Sequence, residues 1–407
     1  MNLLYSNFMD INFFLKTIES RVLVEKAKQL ADSKFLARAY NYDESGAFPK
    51  QDFIDLFNNG LIAPLISKEY GGLGLGHHRG DIFTLWMITK YLAKANLSLG
   101  RCWEAHNNAL LLIDSLAIEE QKKRWCKGIV ENGEIWTVWS GEPQAKTPEQ
   151  KKKIGTVLTE TTGGFFLNGS KVFASSATGA EWAILLVNEV SSGGARHVKH
   201  VDSLVMVVCN LKDSTIKMDN SWWKPIGMKA SDSLRVEFNN TFVPEENILG
   251  KPGEFIKEAW QTRFTPHYTA SYLGAAEGAY DYAIEYITAQ NKSNDPYVQH
   301  RLAQMAVNLE TGHLWLRHVA DLWEANKIRE AQIAGVKNRY LMENLATDIL
   351  QDCAKVCGAR GFIKPSRLER IYRDLAIYVR NDNNDHVLAT LGRIILWKEA
   401  DISFHHI

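Results

Sequence analysis

The 407-residue sequence has no surplus of either charge, no long apolar run and no regular set of cysteines. Lysine plus arginine and aspartate plus glutamate both number 47, so the basic excess typical of nucleic-acid-binding proteins is missing. No stretch of about 18 apolar residues occurs, so we expect no transmembrane helix. Five scattered cysteines do not form the pattern of a disulfide framework, which favours a cytoplasmic protein. We therefore expect neither nucleic acid nor a membrane as a partner.

The common catalytic and metal-binding motifs are also missing. The sequence has no HExxH, GxSxG or CxxC stretch, and the Gly-rich stretch 69–76 has neither Rossmann nor Walker spacing, which favours a simple turn. Adjacent histidines diverge on a helix, so the two His-His pairs predict no metal site. Cys353 and Cys357 share one helix face and could form a redox pair, but two small core residues are the simpler interpretation.

The hydrophobic pattern divides the chain into three parts. Residues 1–135 repeat apolar residues at three- and four-residue spacing, which predicts an N-terminal helical domain. Residues 136–250 contain short runs of β-branched and aromatic residues, which predict a small β-sandwich or barrel. Residues 251–407 return to long helical patterns, which are typical of a helical bundle. The sequence therefore predicts an α+β, multi-domain protein.

Turn residues mark where these elements end. One helix is expected to end just before Gly60 and another at Gly133. The dipeptides Gly163-Gly164 and Asn168-Gly169 predict hairpin turns in the β region. The polar stretch 370–386 reads as a connection between two helices.

Two polar stretches at strand ends and one near the C-terminus contain the candidate functional side chains. Residues 139–143 and 173–176 could hydrogen-bond a flat heteroaromatic ring, or they could simply cap strands. Asp382 and Asp385 are candidates for a general base, which needs a carboxylate in a partly apolar site. The alternative is a solvated connection in which Asp385 caps the next helix.

Six stretches, taken in order, resemble the acyl-CoA dehydrogenase family of flavoproteins over about residues 40 to 400. They are FPKQDFIDLFNNGLIAPLISKEYGGLGLG, GEIWTVWSGEP, GFFLNGSKVFASSATGAEWAILLV, IGMKASDSLRVEFNNTFVPEENILG, LGAAEGAYDYAIEYI and VCGARGFIKPSRLERIYRDLAIY. The resemblance implies a helical domain, a middle β domain and a C-terminal four-helix bundle. It also implies FAD between the β domain and the bundle, in a homotetramer or homodimer.

The resemblance assigns flavin contacts to three regions of this chain. The family's T-E-P stretch falls on Gly141-Glu142-Pro143, where Ser140 could replace the missing threonine hydroxyl. Ser175 takes the place of the threonine whose hydroxyl approaches flavin N5, and Phe173 covers the ring. The full set implied for the cofactor is Ser140, Gly141, Phe173, Ser175, Ser176, Gly358, Gly361 and Asn384, the two glycines facing a neighbour's ADP moiety.

The resemblance also assigns substrate residues. Asp382 occupies the position of the family's catalytic base, and Thr147 and Arg263 are the implied substrate contacts. The family's CoA-binding arginine aligns near Thr265, two residues from Arg263. An aspartate at the base position also resembles the nitroalkane oxidase branch, and flavin monooxygenases of this fold often carry a histidine where this chain has Asn381.

Three functions remain open on these residues. In the first, Asp382 removes the α proton of an acyl thioester, hydride passes to flavin N5, and an electron-transfer flavoprotein accepts the electrons. In the second, the chain is a flavin-dependent oxidase or monooxygenase that uses oxygen and a small substrate without CoA. In the third, it is a catalytically silent assembly or binding subunit.

Overall fold

The computed structural model describes residues 11–77, 80–144, 154–190, 200–381 and 384–397. A helical region comes first, a β-sheet region follows, and a second helical region completes the chain. This order confirms the predicted fold class. Among the described helices, none combines the length and apolar character that crossing a lipid bilayer requires.

The N-terminal region consists of six α-helices around a deeply buried centre. Gly60 and Gly133 both have positive φ, 69° and 68°, and they follow the last turns of α3 and α6, as predicted. The central pair, α4 and α5, is buried over most of its length, so these helices form the core of this region. The helices are α1 (Ile18–Leu30), α2 (Leu36–Ser45), α3 (Lys50–Asn58), α4 (Ile82–Ala95), α5 (Leu97–Leu116) and α6 (Glu119–Asn132).

The β region is one eight-stranded sheet with the order β6-β7-β3-β2-β4-β5-β8, and β1 pairs in parallel with β4. Most neighbouring strands are antiparallel, while β2 and β4 run parallel. The strands are β1 (Trp136–Trp139), β2 (Val157–Thr161), β3 (Gly164–Ala174), β4 (Trp182–Val190), β5 (Leu204–Asn210), β6 (Ile216–Asp219), β7 (Leu234–Pro244) and β8 (Ile248–Leu249).

One of the two predicted hairpin turns is present and the other is not. Thr161 pairs with Gly164, so β2 and β3 form the hairpin predicted at Gly163-Gly164. The prediction at Asn168-Gly169 is wrong, because both residues lie inside β3 at a shift in its pairing with β7. Gly169 has φ 131°, and a Cβ there would lie 2.7 Å from the Thr156 Cα. Gly169 therefore allows a β-bulge and the close approach of the Thr156 backbone. The dipeptide Asn-Gly alone does not distinguish such a bulge from a hairpin turn.

The C-terminal region is helical, as predicted: the short α7 comes first, three long helices that pack side by side follow, and two shorter helices come last. The predicted polar connection over 370–386 is wrong for most of its length, because residues 367–378 form a helix. The helices are α7 (Glu254–Lys257), α8 (Gln261–Ala289), α9 (Pro296–Glu324), α10 (Ile328–Cys357), α11 (Arg367–Tyr378) and α12 (Asn384–Trp397). Cys353 and Cys357 are buried on α10, which confirms them as core residues.

Helix α11 joins all three regions. Its Asp374 Oδ1 accepts a 2.5 Å hydrogen bond from the Met228 amide of the β region. Its Arg373 guanidinium binds Asp43 of α2 and donates to the Ile226 carbonyl at 2.8 Å. The backbone approach is so close that a Cβ on Gly227 would lie 2.3 Å from the Arg373 carbonyl carbon. These contacts bring the last residues of α11 to the face where the three regions meet.

Candidate active site

The end of β3 presents an exposed aromatic surface. Phe173 has φ 52°, and its side chain is 60% exposed, which is unusual for a ring of this size. The Trp222 ring meets it edge-on with the centroids 5.0 Å apart, and the Trp223 ring lies 6.1 Å away. Apolar rings exposed together typically mark a ligand or protein contact.

Ser175 lies two residues further on and is held by hydrogen bonds at both of its oxygens. Its carbonyl oxygen accepts from Thr137 Oγ1 at 3.0 Å and from Trp139 Nε1 at 2.9 Å. Its hydroxyl is 2.8 Å from the Ser233 hydroxyl and accepts from Arg101 Nε at 3.1 Å. The hydroxyl is therefore fixed in place and has a guanidinium beside it.

Arg101 begins a buried polar group that we call the Arg101 cluster: Arg101, Glu104, Ser271 and Tyr378. Arg101 and Glu104 are three residues apart on α5, with 3.6 Å between Nη1 and Oε2. Glu104 Oε1 accepts from the Tyr378 hydroxyl of α11 at 2.6 Å and from Ser271 Oγ of α8 at 3.3 Å. Three helices thus place one cation, one carboxyl group and two hydroxyls together.

Burial controls the protonation of this cluster. Loss of solvent raises the pKa of Glu104 to about 7, although the Arg101 cation and the hydrogen bonds from its neighbours oppose that shift. Burial also raises the pKa of Tyr378 well above its usual range, so this phenol stays protonated. Burial disfavours the Arg101 cation, but the facing acidic groups outweigh this and raise its pKa. At neutral pH the carboxyl group therefore exchanges a proton while Arg101 stays charged.

The segment after α11 is anchored beside the same cluster. The Tyr272 hydroxyl donates to the Asn381 side-chain oxygen at 2.7 Å and to the Tyr378 carbonyl at 3.2 Å. Arg339 donates to the Asn384 side-chain oxygen at 3.1 Å, so this candidate flavin residue is engaged with α10. Asp382, the predicted base, lies outside the described residues, and so does Thr147.

The loop at Ser140 and Gly141 is held against β3. The Gly141 carbonyl accepts from the Val172 amide at 3.1 Å, and a Cβ on Gly141 would lie 2.5 Å from the Val172 oxygen. Ser140 is exposed. Ser176, on the other side of Ser175, has φ 63° and is buried. The loop and the end of β3 therefore form one rigid edge, and the flavin contacts assigned to these residues stay predictions.

Glu142 secures this edge through a buried lysine. The Lys171 ammonium group is fully buried between the Glu142 carboxylate and the Leu186 carbonyl, which accepts at 2.7 Å. We expect Glu142→Gln to lower the free energy of unfolding by about 1–2 kcal/mol, because a buried cation loses its charged partner. Chemical denaturation compared with Glu189→Gln, an exposed site on β4, checks this. Identical unfolding midpoints for the two variants would contradict it.

Two further predicted cofactor residues, Gly358 and Gly361, follow α10 and lie apart from the Arg101 cluster. Gly358 follows α10 with φ 61°, and a Cβ there would meet no atom of the described residues within 4 Å, so its backbone is open on that side. A Cβ on Gly361 would lie 2.7 Å from the Cys357 Cβ. The role of both glycines toward a neighbour's cofactor stays a prediction.

Arg263 lies among aromatic rings. It is buried, its guanidinium lies 4.3 Å from the Trp260 ring centroid and 5.4 Å from that of Trp323, and it donates to the Glu258 carbonyl at 3.0 Å. The substrate contact predicted for this residue stays a prediction.

Sequence reasoning missed the whole Arg101 cluster. One signal was present: α5 carries Arg101 and Glu104 within the otherwise mostly apolar run LSLGRCWEAHNNALLLI. Charged residues three apart in a buried helix face the same side and need partners. No local pattern pointed to Ser271 or Tyr378, because both come from distant helices.

Two family models match the chain in the expected order. The acyl-CoA dehydrogenase N-terminal domain matches residues 17–133, and the acyl-CoA dehydrogenase C-terminal domain matches residues 265–379. Together the two models cover more than half of the chain.

Relatives and solved structures agree with these matches. A dibenzothiophene monooxygenase of Mycolicibacterium goodii is 25% identical, with 92% of this chain and 93% of that protein covered. The mitochondrial short/branched chain specific acyl-CoA dehydrogenase of Bos taurus is 26% identical, with 93% and 86% covered. FMN-bound TdsC from Paenibacillus sp. A11-2 has the same fold, with a TM-score of 0.81, 22% identity and 93% and 98% covered. These findings show that the chain belongs to the acyl-CoA dehydrogenase family and is an oxidoreductase of that family.

Proposed function

We propose that the chain is an FAD-dependent monooxygenase that acts on a substrate without coenzyme A. When bound, the flavin supplies the redox chemistry, and the protein positions it and tunes its surroundings. The predicted homotetramer or homodimer and the cytoplasmic location belong to the same proposal. Support comes from the fit of the flavin site, from the Arg101 cluster and from the relatives.

The residues at the end of β3 fit a flavin ring. Phe173 offers an exposed aromatic ring with the Trp222 ring nearly perpendicular to it, so a flat ring could cover apolar surface here. The Ser175 hydroxyl is fixed close by and can hydrogen-bond a heteroatom of such a ring. The open backbone at Gly358 suits close approach by a phosphate-bearing group. These residues would hold the cofactor.

The observation that carries the choice of monooxygenase is the buried carboxyl group of Glu104 beside Arg101, Tyr378 and Ser271. Monooxygenation places one oxygen atom of O₂ in the product and releases the other as water, so protons must reach the reacting oxygen. Glu104 is completely buried, burial raises its pKa to about 7, and Arg101 contacts both Glu104 and Ser175. A carboxylic acid with such a pKa is well matched to donating protons at neutral pH. The Tyr378 hydroxyl, bonded to Glu104, extends the path.

Two further points favour a substrate without coenzyme A. Arg263, the residue nearest to the family's CoA-binding position, already has its guanidinium against Trp260 and Trp323. Its cation is therefore engaged within the protein. Five relatives with the name dibenzothiophene monooxygenase match this chain over at least 91% of its length.

A second candidate is dehydrogenation of an acyl thioester with Asp382 as base. The hydrogen bond from Tyr272 to Asn381 favours it, because it ties the residue before Asp382 to the face that carries the Arg101 cluster. Acyl-CoA dehydrogenases are among the relatives at similar identity. In this case the carboxylate of Asp382 would remove a proton and hydride would leave the neighbouring carbon.

Two reactions of the FAD-reconstituted protein distinguish the candidates. Without oxygen, we expect no member of a panel of straight and branched acyl-CoAs to bleach the flavin absorption. After chemical reduction and admission of isotopically labelled oxygen, we expect a panel of small organic acids and aromatic heterocycles to yield a product that contains one labelled atom. Bleaching by an acyl-CoA with formation of an enoyl product, abolished in Asp382→Asn, would establish dehydrogenation instead. A protein that takes up no flavin would contradict both candidates.

A further inference from the structure

We propose that the substrate is a small organic acid whose carboxylate or sulfinate group pairs with the terminal nitrogens of Arg101. This inference rests on the proposed flavin-dependent function and adds the class of substrate. It also assigns Glu104 as the residue that takes up a proton when the acid binds.

The geometry of Arg101 leaves donors for a ligand. A guanidinium has five N–H donors in a planar fork that matches the two oxygens of an acid group. Within the described part of the chain, Arg101 Nε donates a hydrogen bond to Ser175 at 3.1 Å, and Nη1 lies 3.6 Å from Glu104 Oε2. The side chain is 25% exposed, whereas that of Glu104 is 1% exposed. The Arg101 side chain is therefore partly accessible, and the contact with Ser175 fixes the direction of the fork.

Glu104 faces this cation without a direct hydrogen bond to it. Its nearest guanidinium nitrogen is 3.6 Å away, beyond hydrogen-bond distance, and its oxygens receive the hydroxyls of Tyr378 and Ser271. When Glu104 carries a proton, the Arg101 cluster has a net positive charge in a site that water reaches poorly. A bound acid group supplies the missing negative charge and forms charge-assisted hydrogen bonds.

The other titratable groups around the pair keep one charge state near neutral pH. His267 of α8 is neutral, because burial and the Arg101 cation lower its pKa to about 3. Burial raises the pKa of Tyr272 of α8 and of Tyr378 of α11 well above their usual range, so both remain protonated. Burial raises the pKa of the Cys102 thiol of α5 to about 12. Among these described neighbours, Glu104 alone changes its charge near pH 7.

The size of the acid follows from the burial around Arg101. Ser175, Ser271, Tyr378 and Glu104 are all at most 6% exposed, so the close packing of these groups leaves little room beside the guanidinium. A compact acid group fits this position. A ligand with several phosphate groups, such as a nucleic acid, would instead need a broad basic surface.

Binding of the acid and protonation of Glu104 favour each other. An anion on Arg101 weakens the attraction between Arg101 and the Glu104 carboxylate, so Glu104 binds a proton more readily. By linkage, affinity for the acid is highest below the pKa of Glu104 and falls as the pH rises above it, by up to about tenfold per pH unit for one proton.

The test uses the oxidised FAD-bound protein and needs no turnover. Benzoate and methanesulfinate are titrated separately at pH 6, 7 and 8, and binding is followed through the visible flavin spectrum. We expect the Kd of the better acid to rise about fivefold from pH 7 to pH 8, because Glu104 is already half deprotonated at pH 7. In Glu104→Gln the Kd should be independent of pH, and in Arg101→Gln affinity should fall by at least about tenfold. Arg124→Gln, an exposed arginine on α6, is the matched control and should behave like the native protein.

The outcomes separate this inference from the proposed function. The better of the two acids identifies the carboxylate or the sulfinate class. Equal binding of the uncharged benzamide, or a Kd that Arg101→Gln leaves unchanged, would overturn the inference. Binding of an acid with the expected pH dependence, in a protein that incorporates no labelled oxygen, would uphold the acid site and refute the monooxygenase function.

Discussion

Glu104→Gln should lower turnover at pH 7 by about 10²-fold while the flavin stays bound, because an amide cannot donate the proton that the carboxylic acid holds. The substitution preserves shape and leaves an oxygen to accept from Tyr378 and Ser271. The native enzyme should lose activity as the pH rises through about 7, since only protonated Glu104 donates. In the variant, kcat should be low at every pH and this titration should disappear. Steady-state rates between pH 5.5 and 8.5 measure both effects.

Two companion variants separate proton donation from a loss of structure. Tyr378→Phe removes the hydroxyl that bonds Glu104 and should also reduce kcat, with the pH dependence shifted rather than removed. Glu120→Gln, at an exposed site on α6, should leave kcat and the pH profile unchanged. If Glu104→Gln kept the native pH profile at full rate, Glu104 would have no part in proton transfer. An increase in KM alone would indicate a role in binding only.

Gly274→Ala should destabilise the protein by about 3 kcal/mol or more, because α8 crosses α4 too closely for a side chain. A Cβ on Gly274 would lie 2.1 Å from the Lys90 carbonyl oxygen, and one on Gly278 would lie 2.7 Å from that of Lys94. The close approach also lets Glu277 bond both lysine side chains at 2.7 Å. Thermal and chemical unfolding midpoints should fall together, and flavin content should fall with them.

Gly335 supplies the matched control for this prediction. It also lies in a long, buried helix, but a Cβ there would be 3.7 Å from Pro266, which is ordinary contact. Gly335→Ala should therefore be neutral or stabilising by up to about 1 kcal/mol, since alanine favours helix over glycine. Equal unfolding midpoints for the two variants would show that the α4–α8 crossing can relax.

Local sequence patterns correctly predicted those helix ends and turns whose structure depends on a short stretch of sequence alone. The left-handed ends at Gly60 and Gly133 and the hairpin at Gly163-Gly164 are of this kind. Asn168-Gly169 failed because the same dipeptide suits both a turn and a bulge, and only pairing with β7 decides between them. Helix α11 was missed because its polar residues dominate the composition. Its apolar positions, Leu368, Ile371 and Leu375, keep helical spacing and are buried.

The sequence by itself determined the order of helical, β and helical regions, because periodicity and turn chemistry are local properties. It also supported the family through motifs in a fixed order. Only the tertiary structure decided the Arg101 cluster, in which Glu104 meets Ser271 across 167 residues and Tyr378 across 274 residues. It likewise decided the pKa of Glu104, because burial from three helices, and not the residue type, removes the solvent that would stabilise the carboxylate.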